Sequence, residues 1–308
     1  MENAILKTLS YFDLFDYPLT KEELARFLWQ ERMQDIGDLD NTLDYLVGSG
    51  AIDSKSSFYF LPQRAITIVS RGRALLQSEH KLKRARRAAW LIRSIPFLRA
   101  IFVCNSVGAL QARDESDIDF FIITTPGRIW LVRFFTNLIL RLCGLRTYGD
   151  RRANRVCLSF YLDTAHLDFS NWRVADEDVY LAYWLGQLLP LYDPENYYQK
   201  LLVANTWVSD LLPNVTSPND YLFKGGGSWL GKKWKNYWEK FFSNKRGDNA
   251  EIKIKSWQWK KLKISLKDAA LKDDRAVVIG EGIIKLHEND RRAEYRRKWT
   301  EKMTAFVK

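Results

Sequence analysis

The chain has 308 residues, with 48 Lys and Arg against 37 Asp and Glu, a formal net charge of +11 and 46% hydrophobic residues. This length allows a sizeable core and two or three domains. No stretch approaches the roughly 18 uninterrupted apolar residues of a membrane span, and the first residues lack the pattern of a signal peptide, so we expect neither and predict a cytoplasmic protein.

Residues 1–69 are predicted to form a small unit of three helices closed by a hairpin. Apolar residues from Ile5 to Leu14 begin the first helix, and Thr20-Lys21-Glu22-Glu23 forms a capping box for the second. A third apolar pattern ends at Gly48, and residues 51–61 offer two short strands. Three helices followed by a two-stranded wing resemble a winged-helix domain.

The third helix of this unit has an unusual charge for a helix that binds DNA. Winged-helix domains usually bind DNA through a basic helix that meets the phosphates. Here the helix carries Asp38, Asp40 and Asp44 and no Lys or Arg. A structural or protein-contacting unit is therefore favoured, and a DNA-binding regulator is the alternative.

Residues 70–99 are predicted to form a basic helical linker. Nine Lys and Arg residues accompany the single acid Glu79. Such a helix could contact nucleic acid or a nucleotide, or it could present a solvated basic face above apolar residues. The basic residues are Arg71, Arg73, Lys81, Lys83, Arg84, Arg86, Arg87, Arg93 and Arg99.

The stretch 101–124 places two aspartates at the start of a strand. An apolar strand at 101–103 is followed by a small turn at Asn105-Ser106 and by a second strand from Ile118. Asp117 and Asp119 are separated by one residue, so they share a face roughly 6.5 Å apart. Two carboxylates on one edge predict a hard-cation site for Mg²⁺, or for the similar Mn²⁺. The Ser106 hydroxyl and the N–H groups of the turn could bind a phosphate.

This pattern resembles the DNA polymerase β-like nucleotidyltransferase superfamily, in which a small Gly-Ser turn precedes an Asp-x-Asp pair by about a dozen residues. Asn105 takes the Gly position, Ser106 the Ser position, and Asp117 and Asp119 the metal-binding pair. The resemblance implies transfer of a nucleoside monophosphate from an NTP to an acceptor hydroxyl on RNA, a protein or a small molecule. Asn105, Ser106 and Arg113 would then bind the nucleotide phosphates.

The third acid usual in that superfamily is missing from the next predicted strand, 155–163. Cys157 and Ser159 occupy the best-aligned positions. Asp163 is a possible base on the same strand face, but it lies four to six residues later, roughly 13 to 20 Å along an extended strand. His287 could supply a base, since its ordinary pKa lies near neutrality, although residues 288–290 would also suit the cap of a last helix. Cys104, Cys143 and Cys157 are predicted to be buried free thiols in a reducing compartment.

The remaining sequence is predicted to be mainly helical. A crossover helix at 129–143 completes a nucleotidyltransferase core at 100–170. Helices at 174–191 and 194–212 would form a layer, 171–222, packed on that core. Residues 276–279 are predicted to form a short strand.

The C-terminal region, 223–308, is basic and rich in tryptophan, with 23 Lys and Arg against 11 Asp and Glu. Its stretch Trp229–Phe242 places aromatic residues at helical spacing among lysines. Such a helix could lie on an anionic membrane, stack on single-stranded nucleic acid, or pack on the helical layer.

The sequence thus predicts an α/β (α+β) protein, a mixed nucleotidyltransferase sheet with helices, flanked by a winged-helix-like unit and a basic helical C-terminal region. The expected function is Mg²⁺-dependent nucleotidyl transfer. The alternatives are a catalytically inactive nucleotide- or nucleic-acid-binding protein of the same fold and a winged-helix DNA-binding regulator.

Overall fold

The computed structural model of the protein describes residues 1–218, 229–262, 264–271, 277–286 and 290–306. These residues form a mixed sheet with helices on both faces, as predicted for an α+β protein. The sheet contains β3 (Leu98–Val103), β4 (Ile118–Thr124), β5 (Val156–Asp163), β6 (Leu189–Tyr192), β7 (Val277–Gly280) and β8 (Ile283–Leu286), and a separate hairpin contains β1 (Asp53–Lys55) and β2 (Phe58–Phe60).

The helices surround this sheet and form most of the N-terminal and C-terminal regions. A short 3₁₀ turn at Ser170–Trp172 lies between β5 and the next helix. The helices are α1 (Glu2–Asp13), α2 (Lys21–Phe27), α3 (Ile36–Gly48), α4 (Thr67–Ile92), α5 (Asn105–Gly108), α6 (Ile129–Leu142), α7 (Val179–Gly186), α8 (Tyr197–Ala204), α9 (Thr206–Leu211), α10 (Trp229–Phe242), α11 (Lys245–Lys261), α12 (Ile264–Leu271) and α13 (Arg292–Phe306). No helix in the described ranges is long and apolar enough to cross a membrane.

The strands of the sheet lie in the order β6-β3-β4-β5-β8-β7. β4 and β5 run parallel and are joined by α6, as a crossover helix requires, and the other neighbours are antiparallel. Alternate side chains of β3, β4 and β5 enter two cores. One core lies against α1, α7, α8 and α9, and the other lies against α4 and α6.

The N-terminal unit has the predicted order of three helices followed by a hairpin. The capping box of α2 is present: the Thr20 hydroxyl accepts the Glu23 N–H at 3.3 Å, and the Glu23 carboxylate accepts the Thr20 N–H at 3.0 Å. The chain between α1 and α2 joins the hairpin as a third partner, because Leu19 bridges Tyr59 of β2.

This unit shares a core with the sheet layer instead of standing apart. Tyr11 of α1 stacks on Tyr183 of α7 at a ring-centroid distance of 4.0 Å. The Tyr183 hydroxyl donates to the Phe27 carbonyl at 3.1 Å, and the Arg26 guanidinium donates to the Gly186 carbonyl at 3.2 Å. The C-terminal helix α13 closes the same region, since the Trp299 indole N–H donates to the Lys7 carbonyl at 2.9 Å.

Two sheet elements differ from the prediction. A helix was expected across 174–191, but it ends at Gly186 and β6 follows as an edge strand on β3. Likewise, residues 283–286 form β8, which pairs with β5. Short apolar runs fit a buried strand or a helix equally well in sequence, and only the neighbouring strand decides between them.

The helix expected over 70–99 spans Thr67–Ile92 and contributes to the core. Ala85, Ala88 and Ile92 are fully buried against the sheet. Lys81, one of its basic residues, is also fully buried. Its ammonium donates to the carbonyls of Asp114 and Ser116, each at 3.0 Å, and to Asn154 Oδ1 at 2.8 Å. Lys81 therefore fixes the loop that leads into the two aspartates.

Replacing Lys81 by methionine keeps most of the side-chain volume and removes all three hydrogen bonds. We expect a loss of roughly 2–4 kcal/mol in the free energy of unfolding, because three partly buried oxygen acceptors lose their charged donor. Urea unfolding measures this loss, with Lys83→Met on the exposed side of the same helix as the matched control. Equal stability of the two variants would contradict the anchoring role of Lys81.

The basic C-terminal region docks on α6 through specific polar contacts. The buried Glu251 carboxylate accepts the N–H groups of Trp130 and Leu131, each at 2.8 Å, and so caps the start of α6. The Arg128 guanidinium donates to the Phe242 carbonyl at 2.9 Å. The helix α11 ends at Lys261, and α12 follows as a separate helix.

The cysteines are free thiols, as predicted, but they differ in exposure. Cys104 is buried and Cys157 is partly buried. Cys143 is exposed, which corrects the expectation that all three are buried, because it follows the last turn of α6 at the surface.

Candidate active site

Asp117, Asp119 and Cys157 meet at the edge where β4 and β5 begin. Asp117 directly precedes β4, Asp119 is its second residue, and Cys157 is the second residue of β5. The parallel register pairs Asp119 with Cys157. One ligand atom from each of the three side chains lies within 4.8 Å of the others. A thiol therefore lies beside the acidic pair.

The turn at Asn105 is fixed against the same edge. The Cys104 N–H donates to the Asp119 carbonyl at 3.0 Å. Asn105 adopts φ +55°, a left-handed conformation that asparagine tolerates better than most residues. Its side-chain oxygen accepts the Trp184 indole N–H at 2.9 Å, and its amide donates to the Asp119 carboxylate. Asn105 therefore links α7 to the acidic pair.

The glycine at the end of α5 allows this turn to lie close to the sheet. A Cβ added at Gly108 would lie 2.7 Å from the Val103 carbonyl oxygen and 3.3 Å from that of Gln187. Both contacts are with backbone, so a larger residue would displace α5 from β3. Asn105 and Ser106 would move with it.

Burial and mutual repulsion perturb the two carboxylates. Burial and, to a smaller extent, the neighbouring Asp119 raise the pKa of Asp117 to about 6, while Arg152 opposes the shift. Burial likewise raises the pKa of Asp119, although hydrogen bonds from Asn105 and Cys157 offset part of the effect. A bound cation would relieve the repulsion between these two partly buried carboxylates, so the pair is suited to binding one.

Cys157 is a neutral hydrogen-bond donor in this arrangement. Burial, Asp119 and Asp117 together raise the pKa of its thiol to about 12. The protonated thiol donates to both carboxylates. Mg²⁺ and Mn²⁺ prefer oxygen ligands, so Asp117 and Asp119 fit such an ion and Cys157 does not.

A polar cleft of about 420 Å³ opens beside the turn. The predicted phosphate-binding residues Asn105, Ser106 and Arg113 all line it. Arg291 and Lys298 add two cationic side chains, and Asp16 is the acidic residue in the described lining. A negatively charged ligand in the cleft would therefore meet three cationic side chains.

A smaller recess of about 180 Å³ adjoins Asn105 and is lined mainly by aromatic rings. Tyr180, Trp184, Tyr295 and Arg291 line both the recess and the polar cleft, so the two form one depression. The further residues of the recess include Phe160, Phe169, Trp172 and Lys285. Planar apolar groups and charged groups thus have separate places next to the same turn.

The proposed bases do not join the acidic pair in the described residues. Asp163 lies at the other end of β5, where it pairs with Thr124 instead of Asp119, and its carboxylate contacts His166 Nδ1 at 2.6 Å. Asp290 caps α13 by accepting the Arg292 N–H at 3.1 Å, as the sequence predicted. His287 lies outside the described residues.

Sequence reasoning missed several residues that shape the site. Lys81 anchors the loop before Asp117, Trp184 binds Asn105, and Arg291 and Lys298 line the same cleft as the turn. These residues lie far apart in sequence and share no spacing. Only the packing of α4, α7 and α13 around the sheet edge brings them together.

Comparison with family models, curated proteins and solved structures finds no match to this chain. Any assignment of function therefore depends on the residues of the site itself. The strongest features are the acidic pair, the turn bound to it, and the basic cleft beside them.

The raised pKa of Asp117 predicts a pH-dependent effect on stability. The folded state keeps the Asp117 proton up to about pH 6, whereas the unfolded state releases it near the ordinary pKa of Asp. The free energy of unfolding of the metal-free protein therefore falls as the pH rises from the ordinary Asp pKa to about 6. Asp117→Asn should therefore stabilise the metal-free protein at pH 7.5 by roughly 1–3 kcal/mol. At about pH 3.5 the difference should vanish.

Thermal unfolding in EDTA across this pH range measures the effect. Asp114→Asn, in the exposed part of the preceding loop, is the matched control. A destabilised Asp117→Asn protein at pH 7.5, with an unchanged control, would contradict the repulsion described here.

Proposed function

We propose that the chain is a Mg²⁺- or Mn²⁺-dependent nucleotidyltransferase that transfers a nucleoside monophosphate from an NTP to an acceptor hydroxyl. The observation that carries the proposal is the pairing of Asp117 and Asp119 at a sheet edge with the Asn105-Ser106 turn bound to Asp119. This combination matches the resemblance seen in the sequence. The same Asn105-Ser106 turn lines a cleft that also contains Arg113, Arg291 and Lys298, which supports a phosphate-bearing substrate.

Different side chains of the site would bind the metal ion and the phosphates. Asp117 and Asp119 would hold the metal ion, and Asn105 keeps Asp119 oriented through its amide. The Ser106 hydroxyl and the Arg113 guanidinium would bind phosphate oxygens along the cleft. A bound divalent ion would neutralise charge on the triphosphate and favour in-line attack by the acceptor.

Arg291 and Lys298 would add positive charge to the same cleft. Both form ion pairs with Glu294, at 2.8 Å and 2.7 Å, which hold their side chains near the cleft. A leaving pyrophosphate carries more negative charge than the Glu294 carboxylate, so these two cations could bind it.

Proton removal from the acceptor is the step that this site supports least. Among the described residues, the group next to the acidic pair is the Cys157 thiol, whose pKa of about 12 keeps it protonated. A protonated thiol cannot accept a proton from an attacking hydroxyl. The hydroxyl proton would therefore pass to solvent or to a phosphate oxygen, and we expect slow turnover.

Cys157 also favours a second candidate, a catalytically inactive nucleotide- or nucleic-acid-binding protein of the same fold. Two carboxylates and a basic cleft are enough to bind a metal nucleotide. In this alternative, Cys157 stands where an active enzyme would have its third acid, and the protein does not catalyse the transfer.

Pyrophosphate release separates the two candidates. The full chain is incubated with each NTP, with Mg²⁺ or Mn²⁺, and with RNA, protein and aminoglycoside acceptors, and an EDTA sample serves as the control. Metal-dependent release and label transfer from an α-labelled NTP are expected for the transferase. Metal-dependent NTP binding without release would identify the inactive protein, and neither binding nor release would contradict both.

We propose a structural role for the N-terminal unit, whose element order resembles a winged helix. Its third helix, α3, is acidic, and Asp40 pairs with Lys21 at 2.9 Å. The surface of α1 and α2 is engaged by α7 and α13. Duplex DNA should therefore bind the full chain weakly in a titration at low salt, whereas tight, salt-sensitive binding would favour the DNA-binding regulator.

A further inference from the structure

The helix α10 docks on the protein through one face. The Glu239 carboxylate accepts the Phe97 N–H at 2.7 Å and two donors of the Arg99 guanidinium at 2.8 and 3.1 Å. The Lys235 ammonium donates to the Leu98 carbonyl. Trp238 and Phe242, on the same face, stack at a centroid distance of 5.8 Å and are partly buried. These contacts fix the rotation of the helix.

A neighbouring face of α10 is apolar and exposed. Leu230, Trp234, Tyr237 and Phe241 follow the spacing of a single helical stripe. Leu230 is 69% exposed and Trp234 58% exposed. Because the docked face carries Lys235 and Glu239 in specific contacts, the helix cannot turn to bury this stripe without losing them. The packing of α10 on the protein therefore does not explain its apolar stripe.

Lysines lie along one flank of the stripe. Lys232, Lys233 and Lys240 are exposed on the helix surface between the stripe and the docked face. The Lys233 ammonium lies 3.8 Å from the Trp229 ring centroid, so an aromatic ring and a cation are presented together at the start of the helix. Such a surface complements negative charge above an apolar layer.

An apolar groove of about 420 Å³ runs beside the stripe. It is lined by the end of α4, by one side of α6 and by Trp234 and Trp238 of α10. Apart from the two indole N–H groups, Ser94 has the one polar side chain among the described residues that line the groove. The groove offers a place for hydrocarbon and few partners for a phosphate or a base. The apolar residues from α4, from the turn that follows it and from α6 are Leu91, Ile95, Pro96, Phe135 and Ile139.

We propose that α10 binds the surface of a bilayer that contains anionic phospholipids. The stripe of Leu230, Trp234, Tyr237 and Phe241 enters the interface, and the flanking lysines contact the headgroups. Single-stranded nucleic acid fits less well, because Leu230 and the aliphatic residues of the groove, Leu91, Ile95 and Ile139, provide no ring on which a base can stack. This surface is separate from the acidic pair and does not depend on the transfer reaction.

Vesicle flotation tests the proposal with the full chain. Vesicles of phosphatidylcholine alone are compared with vesicles that also contain phosphatidylglycerol. We expect binding to the anionic vesicles that weakens at high salt. Leu230→Ser/Trp234→Ser should reduce the bound fraction by roughly tenfold or more, because two large apolar groups no longer enter the interface.

Matched controls keep the result specific. Tyr45→Ser and Val203→Ser replace exposed apolar side chains on α3 and α8, and they should bind vesicles like the wild type. Lys233→Glu/Lys240→Glu should lower binding to anionic vesicles alone. Circular dichroism confirms that each variant is folded, since the replaced groups are exposed.

Three outcomes would overturn the proposal. The wild type could fail to float with anionic vesicles, or the Leu230/Trp234 variant could float equally well. In the third outcome, single-stranded RNA binds the wild type and not this variant while vesicles bind neither, which assigns the stripe to nucleic acid. Asp119→Asn should float like the wild type, so failure of the transfer reaction leaves this test intact.

Discussion

Asp119→Asn is expected to lower kcat/KM for nucleotidyl transfer by about 10³-fold. The substitution keeps the size of the side chain and its contact with Asn105, but it removes one of the two negative charges that would hold the metal ion. A metal site is worth several kcal/mol of transition-state stabilisation, which converts to a factor of this size. Label transfer from an α-labelled NTP at saturating Mg²⁺ measures the change.

Two comparisons show whether the loss is specific to the metal site. Asp114→Asn changes an exposed acid in the loop before the pair and should retain the wild-type rate. Isothermal titration should show weaker Mg²⁺ or Mn²⁺ binding for Asp119→Asn and unchanged binding for the control. Equal transfer by wild type and Asp119→Asn would contradict the proposed active site.

The local features of the fold and of the site could be predicted from the sequence. The spacing of Asp117 and Asp119 at a strand start requires that both point to one face, because strand side chains alternate. The capping box at Thr20 and the crossover helix α6 were equally predictable, since each depends on residues within one or two turns. All three features are present in the structure.

Features that depend on distant contacts could not be predicted in this way. Lys81 looked like one more exposed basic residue, yet it is fully buried because the loop carbonyls of Asp114 and Ser116 and the side chain of Asn154 accept its ammonium. Helical spacing gives no sign of such a burial.

The same limit applies to the edge strands and to α10. β6 and β8 are four residues each, and their apolar residues become strands because β3 and β5 offer unpaired backbone groups. The sequence of α10 showed an amphipathic helix and left three partners open. The tertiary contacts of Glu239 and Lys235 decide which face remains exposed.

Cys157→Asp is expected to change both stability and catalysis. A third carboxylate next to Asp117 and Asp119 adds negative charge to a partly buried place, so the metal-free variant should lose roughly 3–5 kcal/mol of unfolding free energy at pH 7.5. Mg²⁺ should recover much of this loss, because a cation offsets the added charge. Thermal unfolding with EDTA and with Mg²⁺ measures both effects.

The catalytic outcome of this substitution distinguishes an active enzyme from an inactive binding protein. An aspartate at position 157 lies beside Asp119 in the register of the sheet and can accept the proton of an attacking hydroxyl, a role worth roughly 10²–10⁴-fold. If only proton removal limits the wild type, Cys157→Asp should accelerate label transfer by about 10²-fold, whereas the isosteric but uncharged Cys157→Asn should not. Mg²⁺-dependent stabilisation without any transfer would show that the fold binds the metal nucleotide and lacks more than its third acid. If neither Mg²⁺-dependent stabilisation nor label transfer is observed, the metal site lies elsewhere. A carboxylate at position 157 would contact any cation held by Asp117 and Asp119.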